Sequence, residues 1–464
     1  MTVARTRDMH EVTGAPAHGP PAGGEGAKRL GFAPDPGFQR ELRRRVEALV
    51  RERGIRERDC PRMYLKTALV LGSFALAYCL LVFMARGPWQ ALPLAALLGF
   101  ATAEIGFNIQ HDGSHKACSR RAWVNKLMAM TLDLVGGSSY VWRWKHVVFH
   151  HMYVNLCGHD TDIELGIFGR LAPGQPHRAF YRWQHWYLWP LYGVMTVKWH
   201  FYDDYRDVIL GRMGANRFPR PRGWDLTLFI GGKLTFLTLA FGIPLLLHPF
   251  ATVLLFYTVT AVVTGIVLSV VFQLAHAVEE VRFPTLAASA TRVAEPWAVH
   301  QAATTVDFAR DDRALSWLVG GLNFQIEHHL FPTLCHVNYP AIAGIVEDTC
   351  REYGVSYAVN PTFRSAVASH FRWLRRMGRS HSLLDWPGSR ADFAHEKPRS
   401  LEGCRMNQHE NRSDDSAAID AMLNEGGHIA TGNLRRAAIE RAAARAPGPQ
   451  DAKPPQKTPG LFSR

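Results

Sequence analysis

The chain's 22 histidines are unevenly spread, and the crowded ones fall into pairs that a helix would align. His111 and His115 lie in HDGSH, while His146, His150 and His151 lie in HVVFHH. His276 ends an apolar run in FQLAHAVEE, and His328 and His329 lie in QIEHH. Residues three, four or seven apart share a helix face. His111 with His115, His146 with His150, and Gln325 with His328 and His329 can therefore each direct side chains to one point. One such pair is more often structural than metal-binding; three of them point to a metal centre. Neutral imidazole suits zinc, copper, iron and nickel, and the lack of accompanying thiolates excludes iron–sulfur chemistry. A structural zinc takes four ligands, so these eight imidazoles are enough for two metals with open positions. The residue types alone leave iron and zinc both open.

The histidines sit at the ends of segments that must carry them. Glu104, Asn108, His111 and His115 recur at steps of four, three and four, and Ser269, Gln273, His276 and Glu280 do likewise. Polar groups inside apolar helices are costly and usually face a functional interior; hydrogen bonding between helices is the plainer alternative. Ligating histidines commonly give their second ring N–H to a carboxylate or carbonyl. Glu104, Asp112 and Glu280 are candidates for that partner, with Asn108 on the same stripe.

Four stretches, roughly 65–85, 89–110, 226–247 and 250–276, reach the ~20 apolar residues a bilayer span requires. Arg86-Gly87-Pro88 separates the first two and His248-Pro249 the last two, so each pair is a hairpin with a short far loop. The remaining segments share the other side and carry nearly all the Lys and Arg, which makes that side cytoplasmic, with both termini on it. Lys233 interrupts the third stretch and either snorkels or faces the bundle interior. Stretches at about 127–142 and 183–202 mix apolar residues with Trp, Tyr, Lys and Arg and suit interfacial helices. The expected fold is an all-α integral membrane protein: four spans in two hairpins, interfacial helices and a cytoplasmic helical cap.

The termini differ in composition from this body. Residues 1–34 are rich in Gly, Ala and Pro and read as disordered, as does most of 379–464, which leaves 35–378 as one membrane domain. Asp35-Pro36 opens a helix with Phe38, Leu42, Val46 and Val50 on one face and arginines around the rest. It either lies on an anionic membrane surface or packs on the cytosolic cap. The net charge of +13 accompanies clusters beside apolar runs, which fits a membrane surface and not nucleic acid. The seven cysteines are scattered with no CxxC pair, against a disulfide framework or thiolate metal site.

HDGSH, then W-K-H-x-x-x-H-H-x-Y-x-N, then Q-x-x-H-H resembles the membrane fatty acid desaturase superfamily. It is most similar to the branch with Gln opening the third box, which includes front-end and bacterial acyl-CoA or acyl-lipid desaturases. G-x-D-x-D-I-E at 158–164, WAVHQ at 297–301 and GGLNFQIEHHLFP at 320–332 match as well, and the resemblance runs from about 35 to 376. It implies two iron ions held by His111, His115, His146, His150, His151, His276, His328 and His329. Gln325 stands where many relatives have His, and would ligate weakly, act through water or position a neighbour. His300 would ligate, hydrogen bond or orient substrate. His159 and His336 are expected outside the ligand set, and His177, His185 and His200 are given no role.

The resemblance implies an oxidoreductase that reduces O2 to water while desaturating an acyl chain linked to CoA, ACP or lipid. The sequence has no His-Pro-Gly-Gly haem motif, ferredoxin cysteine spacing or GxGxxG loop. Electrons are then expected from a separate donor, ferredoxin or cytochrome b5 with a reductase. A hydroxylase, ketolase or sphingolipid desaturase on the same scaffold is the alternative. A metal transporter or zinc-dependent receptor or hydrolase is the alternative of a different class. Truncation after residue 380 should leave iron content and turnover largely intact, as measured on the purified shortened protein.

Overall fold

The computed structural model describes residues 30–286 and 290–379. Among the described residues, four helices are long and apolar enough to cross a membrane: Pro61–Met84, Pro88–Ser114, Trp224–Leu245 and Phe250–His276, of 24, 27, 22 and 27 residues. At 1.5 Å per residue they reach about 33–40 Å, enough for a hydrocarbon core of about 30 Å. Pro61 and Pro88 occupy first helical positions, where a missing N–H costs no hydrogen bond. Leu65, Leu69, Leu76 and Phe83 on the first helix are exposed, as are Trp89 at the start of the second and Leu234 on the third. Apolar surface on this scale calls for lipid around it.

The second and fourth helices approach closely because small residues line their seam. A β-carbon on Gly99 would lie 2.5 Å from the Thr260 carbonyl, and the Thr264 hydroxyl donates to the Gly99 carbonyl at 2.9 Å. Such small-residue contacts are how helices associate where no hydrophobic force separates protein from solvent. The helix Gln184–Lys198 packs along the fourth by the same device, with Gly193 against Val262 and Gly265 against the Tyr192 carbonyl. The His248 ring bonds the Val82 carbonyl at 2.7 Å, tying the tips of the two hairpins together. His111 and His276 lie at the opposite ends of their helices from those tips.

Lys233 faces the interior. Its ammonium donates to Asp204 Oδ2 at 2.6 Å and to the Gly136 carbonyl at 2.7 Å. The helix Phe38–Glu52 buries Phe38, Leu42, Val46 and Val50 in one core with Ile342, Val346 and Cys350 of Tyr339–Glu352. Its apolar face is therefore spent on the cap, not on a membrane surface. At the other end of the cap, Phe363–Arg379 bonds back to the fourth helix: His370 Nδ1 lies 2.7 Å from the Ala277 carbonyl and its Nε2 2.9 Å from the Tyr192 hydroxyl.

Two sequence expectations need correction. The protein is mostly helical but not all-α: Gly31–Ala33 pairs in parallel with Arg292–Pro296, Arg212–Met213 with Asn216–Arg217, and Asp307–Phe308 with Val359–Asn360. The strand Gly31–Ala33 and buried Leu30 also place packed residues ahead of residue 35. An isolated three-residue strand carries too little pattern to be read from sequence; its partner lies some 260 residues on. The rest of the N-terminal stretch and the tail from 380 lie outside the described residues.

Removing one member of a buried ion pair leaves an uncompensated charge at a cost of about 3–5 kcal/mol. Asp204→Ala should accordingly lower the thermal midpoint in detergent sharply. The double variant Asp204→Leu/Lys233→Met should recover most of it.

Candidate metal centre

Each histidine box is delivered by a different local structure. The second long helix passes through a π-helical turn at Gly106–Gln110 before the short α-helical turn His111–Ser114. HVVFHH belongs to a π-helical stretch, Arg143–His150, followed by His151–Tyr153. In a π-helix hydrogen bonds run five residues apart, so residues four and five apart come to the same side. His150 and His151 therefore both lie near His146, with ring centroids 5.0 and 4.9 Å from it. An α-helix would have aligned His150 and turned His151 aside.

The third box is held from below. Gly320 adopts φ 64 and passes so close to Phe107 that a β-carbon would lie 2.4 Å from its carbonyl. Asn323 and Phe308 exchange backbone and side-chain hydrogen bonds, and Asp307 Oδ1 accepts the Ile326 N–H at 3.0 Å. The Tyr357 hydroxyl bridges Asp307 and Glu327. The short helix Gln325–Leu330 is thereby fixed against the ends of the second and fourth helices.

All eight histidines named from the sequence converge in one buried cluster. His111, His115, His146 and His328 form one group with ligand atoms within 4.8 Å of one another, and His150, His276 and His329 form a second. His151 lies with His328 and His329, between the two. The Nε2 atoms of His111 and His146 are 3.1 Å apart, and those of His151 and His328 are 3.0 Å apart. Nε2 of His115, His150 and His329 is buried with no hydrogen-bond partner. Facing ring nitrogens and orphaned buried nitrogens are what a metal's donor set requires, so the cluster can bind metal.

Burial, reinforced by neighbouring imidazoles, holds His115, His146, His151, His328 and His329 well below the usual histidine range. Neutral imidazole is the ligating form. Burial also pulls His150 down, but the Asp160 and Asp162 carboxylates together hold it above its usual value.

The partners that orient these rings are mostly not those expected. Asp160 lies 3.1 Å from His150 Nδ1, and its carboxylate also accepts the N–H groups of Asn155 and Asp162. Gln301 Oε1 is 2.9 Å from His329 Nδ1, and the Tyr339 hydroxyl is 3.1 Å from His328 Nδ1. Asn155 Nδ2 gathers the carbonyls of His276, Arg282 and Thr304, pinning the end of the fourth helix. Asp160, Asn155 and Gln301 stand in the matched motifs, but no spacing rule linked them to a particular imidazole.

Glu280 is a correction. The fourth helix ends at His276, and the exposed Glu280 carboxylate accepts from Ser369 and Asn360, away from the cluster. Asn108 bonds the Glu104 and Leu318 carbonyls, and Glu104 is buried without touching a ring of the cluster. Asp112 bonds the ring and backbone N–H of His336, so it supports the loop behind the third box. His300 is buried against Phe32, outside the metal-binding groups. The Gln325 amide meets His276 Nε2 at 2.8 Å, within the cluster. His159 is half-buried beside Tyr153 and His185 packs on Phe371, both apart from it.

The family model for fatty acid desaturases matches residues 87–361. The chain belongs to the fatty acid desaturase family. It is 38% identical over 355 residues to the sn-1 linoleoyl-lipid 6-desaturase of Synechocystis sp., covering 76% of this chain and 99% of the relative. An acyl-lipid (8-3)-desaturase of Physcomitrium patens is 37% identical over 75% of this chain and 73% of its own. Delta(5) fatty acid desaturase A of Dictyostelium discoideum is 31% identical over 63% and 65%. The protein is accordingly a fatty acid desaturase, an oxidoreductase of lipid metabolism.

In this desaturase, replacing His150 or His276 by Ala should abolish turnover and lower bound metal, read by elemental analysis of the purified protein. Gln301→Ala should be milder, about 10–100-fold in affinity or activity, because it orients a ring without being one. His185→Ala should leave both unchanged.

Proposed function

We propose that the cluster holds two iron ions and that the enzyme is an acyl-lipid front-end desaturase. The convergence of eight buried imidazoles, two groups with His151 between them, carries this reading. His111, His115, His146 and His328 would hold one iron, and His150, His276 and His329 the other, with His151 reaching between them. Bound iron would supply the activation of O2 that lets two hydrogens leave neighbouring methylenes. Asp160, Gln301 and Tyr339 would keep the rings turned toward the metals, and burial would keep bulk water out. The relatives named as 6-desaturase and Delta(5) desaturase support a new double bond on the carboxyl side of the chain.

The acyl tail has a fitting place. An apolar cavity among the four long helices is lined by Phe74, Leu98, Val135, Phe236, Phe256 and Ala261, among others. Val135 and His200 in its wall adjoin Gly136 and Trp199, and Trp199 lies against Trp142, which stacks on His146 at 4.7 Å. A chain seated there would pass beside the imidazoles while its polar head stayed toward the cap. On this reading both termini and all boxes are cytoplasmic, and a separate donor such as ferredoxin or cytochrome b5 delivers electrons to that side.

Expression in a host that supplies linoleoyl lipids, together with a redox partner, should yield a triene with the new bond on the carboxyl side. Gas chromatography–mass spectrometry of the fatty acid esters reads this directly. A hydroxylated product, or purified protein carrying zinc in place of two irons, would overturn the reading.

A further inference from the structure

Three thiols, Cys60, Cys118 and Cys335, share one small core cluster with Met63 behind the third histidine box. All three are free and buried. Cys60 is the N-cap of the first long helix, so its sulfur sits at the positive end of that helix. Asn338 Nδ2 donates to Cys60 Sγ at 3.6 Å, and Cys335 packs in the same small cluster. In its thiol form Cys60 donates to the Arg56 carbonyl. The Cys335 backbone N–H donates to the Glu57 carbonyl at 2.9 Å, which holds the two backbones side by side. The neighbouring His336 ring has Asp112 at 2.9 Å on Nδ1 and Lys66 at 3.0 Å on Nε2. Both its nitrogens are engaged, one by a cation, which sets this group apart from a metal site.

We propose that Cys60 and Cys335 are a redox-active thiol pair, an oxidation site that closes to a disulfide behind the third box. The neighbouring Cys335 thiol draws the Cys60 thiol down to about 7 against the effect of burial, while Cys60 and burial push Cys335 up. Cys60 is therefore the attacking sulfur and Cys335 the resolving one, since thiolates at helix N-termini are the reactive ones. The oxidant is hydrogen peroxide. The Cys60 thiolate attacks one peroxide oxygen, the O–O bond breaks, and the leaving hydroxide takes a proton to become water. Cys335 then attacks the resulting sulfenic sulfur and its proton leaves with the displaced hydroxyl as the second water. Two thiols and one peroxide give one disulfide and two waters. Closing to an S–S bond of about 2.05 Å pulls on the loop that carries His336. His336 holds Asp112, the neighbour of His111, so oxidation reaches the imidazole cluster.

The test uses the full-length protein, reduced and then exposed to hydrogen peroxide. Peptide mass spectrometry without reductant should find Cys60 linked to Cys335 and the loss of two free thiols, reversed by dithiothreitol. The link should persist in Cys118→Ser and vanish in Cys60→Ser and Cys335→Ser, which should keep basal turnover. Turnover of the oxidised wild type should fall about tenfold, the scale of losses when a metal site's outer contacts are disturbed. Both serine variants should resist that fall. No link, or a link through Cys118 or Cys404, would overturn the pairing, and a link without change in turnover would overturn its coupling to the cluster. The link is read by mass, so its absence is distinct from any failure of the iron or front-end reading.

Discussion

Eight buried imidazoles share one small space, and most of the surrounding structure exists to make that tolerable. A buried nitrogen without a partner costs about 1–3 kcal/mol, and several ring nitrogens here have none. The cluster must therefore be held by elements that are stable for other reasons. The second and fourth helices meet along the Gly99–Thr264 seam, and the third box rests on Asp307, Tyr357 and the Phe107 backbone. Asp160, Gln301 and Tyr339 then each take one nitrogen of a ring and leave the other for the centre of the cluster.

Backbone geometry does part of this work. Two of the boxes adjoin or occupy π-helical segments, the irregularity that places an extra residue in a helix and often marks functional sites. In HVVFHH the altered register brings three rings to one side where an α-helix would bring two. The same cap that carries the third box is clamped by Phe38–Glu52, through its apolar face and through Arg45, which pairs with Glu352 at 2.6 Å. The apolar exterior of the four long helices and the buried Lys233–Asp204 pair follow one rule: in lipid, polar groups turn inward and find partners.

The carbonyl and thiol contacts behind the third box show how closely the site is tied to the first helix. Asn338 reaches both the Arg56 carbonyl and the Cys60 sulfur, and Cys335 hangs from Glu57. Movement at the start of the first helix is thereby coupled to the loop that supports Asp112.

Much of this protein is legible in its residues alone. Apolar run lengths located the four long helices, because a span's length is set by a bilayer's thickness and nothing else in the fold. Helix spacing pointed to six of the imidazoles and the polar stripe of the fourth helix to His276, because few other demands crowd imidazoles at the ends of apolar segments; His151 entered only with its box and the family resemblance. Tertiary structure decided what depends on partners distant in sequence. The polar stripe through Glu280 failed because the fourth helix stops at His276, where Asn155 captures its last carbonyl from some 120 residues away. Asp160, Gln301 and Tyr339 became ring partners through contacts that no periodicity encodes. Whether Lys233 snorkelled, and whether Phe38–Glu52 met membrane or protein, turned on Asp204 and on Ile342 and Val346 being within reach. A pattern shows that a face must be covered or a charge satisfied; only the packed chain selects the group that does it.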